Sequence, residues 1–75
     1  MKIKKLELID SFDRDTGSIL VINGEPVASV NYDEHGSAGL DVLKQVHNNL
    51  AKKAGVFPHR DELDDNEFFK IKENL

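Results

Sequence analysis

The chain has 75 residues and no cysteine, and its 14 acidic against 10 basic residues give a formal net charge of −4. That length allows one domain at most, residues 1–75, and a core burying only about 60% of the unfolded surface; without cysteine, no disulfide can reinforce it, and a cytoplasmic setting is favoured over secretion. No apolar run approaches the length of a membrane span, and Met1-Lys2-Ile3-Lys4-Lys5 leads into no signal-type apolar stretch, so a soluble, unprocessed protein is expected.

The net charge conceals an alternation along the chain. Residues 1–6 carry Lys2, Lys4 and Lys5, and residues 7–41 carry eight acids against Arg14. Residues 42–60 hold Lys44, Lys52, Lys53 and Arg60 with no acid, and residues 61–67 hold five acids. An acidic balance of this kind argues against nucleic-acid binding by the whole surface, while a local basic face stays compatible with it.

Residues 3–12 read as a first strand, with Leu6 and Leu8 on one face and Glu7 and Ile9 on the other. The turn residues Asp13 to Gly17 close it. The strongest local signal follows, two β-branched apolar runs at 19–22 and 27–30 separated by Asn23-Gly24-Glu25-Pro26, which is a hairpin pattern. Regular pairing puts Ile19 and Val21 on one face with Ala28, Val30 and Tyr32, the expected core. Leu20, Ile22 and Val27 fall on the other face, which is too apolar to be left in water. A three-stranded antiparallel β-meander with 19–22 in the middle results, and Pro26 suits an edge strand.

Ser37 is placed to cap a long amphipathic helix ending at Ala54, with Gly55 in the left-handed terminating position. Leu40, Leu43, Val46, Leu50, Ala51 and Ala54 form its apolar stripe, opposite Asp41, Lys44, Gln45, Asn48 and Lys52. Val56-Phe57-Pro58 leaves it as an extended apolar segment. A short C-terminal helix then starts at a capping box, Asp64 with Glu67, and a staple of Leu63 on Phe68. It presents Phe68, Ile71 and Leu75 with Phe69 beside them, and three turns are too few to stand alone. It must dock on the Leu20/Ile22/Val27 face or on another molecule. The fold class is therefore α+β.

Chemistry finds little footing in these residues. Asp10, Asp13 and Asp15 lack the glycine and closing Glu spacing of a calcium loop, and Asp, Thr and Gly are ordinary turn residues. His35, His47 and His59 have no shared helical spacing for a metal, and no thiolate completes a zinc site. His47, between Leu43 and Leu50, reads as a core-edge histidine. Ser11, Ser18, Ser29 and Ser37 lack nucleophile-elbow glycines, and no phosphate-binding glycine loop exists. Neither a catalytic activity nor a cofactor or metal is expected.

What remains is a protein-interaction module, a small acidic regulator or inhibitor of a larger protein, acting through acidic turns and spare apolar surface. The candidate contact residues are Leu20, Ile22, Val27, Asp33, Glu34, Phe57, Asp61, Glu62, Asp64, Asp65 and Phe69, with Phe68 near them. The partner is another protein or a second copy in a homodimer. Two alternatives use the charges differently. The spaced carboxylates could mimic nucleic acid and block a nucleic-acid-binding protein, or Lys44, Lys52, Lys53 and Arg60 could form a basic face that binds nucleic acid itself.

Overall fold

The computed structural model describes residues 2–13 and 16–75. Its elements are β1 (Leu6–Ser11), β2 (Ser18–Ile22), β3 (Glu25–Val30), α1 (Tyr32–Ala54), β4 (Pro58–Leu63) and α2 (Asp65–Lys72). The α+β class, the long helix and the short C-terminal helix are as expected. The sheet differs from the expected meander: it is mixed and four-stranded, in the order β3-β2-β1-β4. β1 to β3 pair antiparallel, and β4 returns parallel to β1, in register from Leu6 opposite Pro58 to Ser11 opposite Leu63. A parallel neighbour needs a crossover of a dozen residues or more, which the 23-residue α1 provides.

Asn23 and Gly24 form the β2–β3 turn with φ of 53° and 83°, the pair of positive angles that a type I′ hairpin requires. The register then slips: Val21 faces Pro26 but Leu20 faces Ala28, so Val27 is an extra residue. That bulge reverses the face assignment expected from regular pairing. Ala28 and Val30 pack with Leu20 and Ile22, joined by Leu6, Leu8, Leu43 and Ala51, in the layer beneath α1. Ile19 and Val21 pack with Ile9 on the other side, against Phe68 of α2.

Both sides of the sheet are thus covered by the chain itself. α2 lies on the Ile9/Ile19/Val21 side, with Phe68 fully buried and Leu63 and Ile71 packed around the cluster. Its start is as expected, since Asp64 Oδ1 accepts from the Glu67 amide at 2.9 Å. α1 begins earlier than Ser37. Asn31 is its N-cap, accepting from the Glu34 amide at 2.7 Å, and Gly36 kinks the helix with φ of 65°. Gly55 ends it in the left-handed conformation. The buried line of α1 runs through Leu43, His47 and Ala51, leaving Val46 and Ala54 on its flanks.

Among the described residues, no helix is long and apolar enough to cross a membrane.

Candidate functional site: an acidic end of the sheet

The strand registers define two ends of the molecule. At one end lie the C-termini of β1, β3 and β4 and the N-terminus of β2, because Asp10 is opposite both Ser18 and Glu62, and Ser18 is opposite Val30. Both helices start there, α1 directly after β3 and α2 directly after β4. Three acidic segments far apart in sequence therefore meet: Asp10 and Asp13 at the end of β1, Asp33 and Glu34 in the first turn of α1, and the run 61–67, with Asp61 and Glu62 on β4 and Asp64, Asp65 and Glu67 at the start of α2.

Local chemistry explains much of this placement. Asp33, Glu34, Asp65 and Glu67 complement the positive ends of the helix dipoles. Asp61 Oδ1 accepts from the Glu62 amide at 2.8 Å. Asp10 is shared between two partners: Oδ1 accepts from Ser18 Oγ at 2.5 Å and Oδ2 from Arg60 at 2.6 Å. Around this pair a half-open cleft of about 380 Å³ separates α1 from β4, lined also by Phe12, Ser37, Asp41, Lys44 and Glu62.

Three aromatic side chains stand exposed at the same end. Phe12 follows β1 at 64% exposure, and Tyr32 opens α1 at 45%. Phe69 on α2 is 46% exposed, edge-on to Phe68 with centroids 5.9 Å apart, and borders a hollow formed with Asp13, Thr16, Asn31 and Asp33. Lys72 Nζ lies 5.8 Å from the Phe69 centroid.

Of the residues singled out from sequence, Asp33, Glu34, Asp61, Glu62, Asp64, Asp65 and Phe69 converge here. Leu20 and Ile22 do not: the bulged register puts them in the core under α1, so they offer no contact surface. Val27 is half-exposed on β3. Phe57 lies at the opposite end beside Pro58, where its ring meets that of His59 at 4.7 Å. Phe12 and Tyr32 were missed as candidates; a bulky aromatic directly beyond a strand, ahead of a run of turn residues, is the signal that marks Phe12.

The basic set does not make one face. Arg60 is paired with Asp10, and Lys44 shares the cleft with Asp41 and Glu62. Lys52 borders a hollow at the other end with Gly55, Val56 and Pro58, and Lys53 follows it in the last turn of α1.

His47 is the one titratable group inside the molecule among the described residues, at 1% exposure, and its Nε2 has no hydrogen-bond partner. Burial, foremost, lowers its pKa from the usual 6.5; a hydrogen bond with the His59 backbone opposes this, Arg60 adds to it, Asp10 opposes it and His59 adds a little. Among the described residues, no three His, Cys, Asp or Glu side chains are arranged to hold a metal ion.

The fold and this end of it define a small α+β protein with a mixed four-stranded sheet roofed on both sides. No protein-family model, curated protein or solved structure matches the chain.

Proposed function

We propose that the protein is a non-enzymatic, cytoplasmic interaction module, a small acidic regulator or inhibitor that docks its acidic end on a basic surface of a larger protein. The observation that carries this reading is the exposure of Phe12, Tyr32 and Phe69 among carboxylates from three separate segments at one end of the sheet. Aromatic residues are enriched at protein interfaces, where a few side chains enclosed by a polar rim carry most of the binding energy, and a charged rim speeds encounter with a partner of opposite sign. Because α1 covers one sheet face and α2 the other, contact falls to these few aromatics rather than to a bare sheet.

The test is affinity capture from native lysate with the wild type and with a variant carrying Asp61→Asn, Glu62→Gln, Asp64→Asn and Asp65→Asn. Asparagine keeps the cap at position 64 and an acceptor at position 65, so folding is retained. A protein captured by the wild type should be lost with the variant, with Phe69→Ala, and with added salt. A protein held equally by all of these would overturn the acidic-end mechanism.

A further inference from the structure

The two outer strands of the sheet are guarded very differently. β4 carries His59, Arg60, Asp61 and Glu62 along its length, the charged dress that keeps an edge from pairing. β3 carries no charge from Pro26 onward, and none follows in Asn31 or Tyr32, in a chain with 24 charged residues among 75. Among the described residues, no strand neighbours its outer side.

The helix flank above it is apolar as well. Asp41, Lys44, Asn48 and Lys52 lie on the flank of α1 that borders clefts shared with β4. Helical spacing sets Val42 and Val46, one turn apart, on the flank of α1 away from those clefts, and they are 56% and 38% exposed. An uncharged strand edge and an exposed valine pair therefore adjoin.

We infer that this surface is where a second copy of the chain binds, the two β3 strands pairing antiparallel across a twofold axis into one eight-stranded sheet. The geometry selects a second copy over a foreign protein. A twofold axis normal to the sheet pairs residue i of one copy with j of the other and j with i, so an edge that carries no charge from Pro26 onward sets no like charges against each other along the paired segment. The same axis keeps both α1 helices on one side of the sheet, which brings Val42 and Val46 against their counterparts. Antiparallel pairing also lays Asp33 and Glu34, in the first turn of one copy's α1, beside the opposite end of the other copy's α1, where Lys53 stands in the last turn. Pro26, without an N–H, confines the pairing to the segment after it. The contact leaves Phe12 and the acids of β4 and α2 free, so the inference stands independently of the proposed function.

Sedimentation equilibrium of the full chain from about 1 to about 200 μM, the range a small interface occupies, tests it. The wild type should reach twice the monomer mass, with the apparent mass falling as salt is added. Val42→Lys with Val46→Lys, both at exposed positions, should remain monomeric throughout with an unchanged circular dichroism spectrum. Backbone amides of residues 27–30 should gain hydrogen-exchange protection with concentration in the wild type alone. A wild type that stays monomeric at the highest concentration, or a dimer that the double variant leaves intact, would overturn the inference. The acidic-end variant serves as control and should dimerise normally.

Discussion

Ser11, at the last position of β1, donates its hydroxyl to Asp65 Oδ1 at 2.5 Å, joining the sheet to the first residue of α2 across 54 positions of sequence. The same hydroxyl accepts from the Asp13 amide at 3.1 Å. α2 spans only 8 residues, too few to be helical alone, so its position depends on such anchors and on Phe68. Ser11→Ala should lower stability by about 1–2 kcal/mol, since Asp65 loses its partner in a part-buried place. Asp65→Asn, which keeps an acceptor, should cost less. Urea unfolding of the single variants and of a double-mutant cycle checks both; full additivity would show that the bond contributes nothing.

His47 makes stability depend on pH. Its folded-state pKa lies below 6.5, so between that value and 6.5 the unfolded chain binds a proton that the native state refuses. The stabilisation is therefore complete above pH 6.5 and is lost as the pH falls through 6.5 toward the lowered pKa, where the slope ends. His47→Gln has no charge to gain and should flatten this part of the profile. Denaturant midpoints measured at intervals from about pH 7.5 to about pH 4.5 read the slope directly, and an unchanged slope in the variant would assign it to another group.

Elements marked by strong local chemistry were legible in the sequence. Asn23-Gly24, the Asp64–Glu67 box and Gly55 each act within a few residues, and each stands where their chemistry requires. β4 was not legible, because Pro58-His59-Arg60-Asp61-Glu62-Leu63 has neither β-branched residues nor alternation. It is held by its ladder to β1, a pairing that only the crossover brings about. The faces were misread for one reason, the extra residue Val27, since a single bulge changes which side every later residue meets. The same slip set Leu20 and Ile22 beneath α1 with Ala28 and Val30, and they are buried because both sheet faces are covered. The acids were all visible, but their convergence follows from the parallel return of β4, which carries α2 to the end where α1 begins.

Gly17 is a second point where one residue decides the fold. Its φ is 109°, and a Cβ built there would stand 1.8 Å from the Val30 carbonyl oxygen. Neither the angle nor the space admits another side chain, and the obstacle is backbone rather than a flexible group. Gly17→Ala should cost at least about 2 kcal/mol, more than a substitution at an ordinary turn position. Gly24→Ala meets nothing within 4 Å and carries only the strain of its positive φ, so it should be the milder of the two. Thermal unfolding of both variants gives the order.

Asp10 has two partners of unequal worth, and substitution should separate them. Ser18 is buried, so its hydroxyl depends on Asp10 Oδ1. Arg60 has a side chain 52% exposed, and an ion pair so open to water contributes about 0–1 kcal/mol. Asp10→Ala strands the Ser18 hydroxyl in the protein and should cost about 1–3 kcal/mol, whereas Asp10→Asn keeps an acceptor and should cost well under half of that. Arg60→Ala should fall below both and lose its small effect in high salt. If Arg60→Ala instead matched Asp10→Ala in chemical denaturation, the ion pair rather than the Ser18 bond would be what closes the sheet at its acidic end.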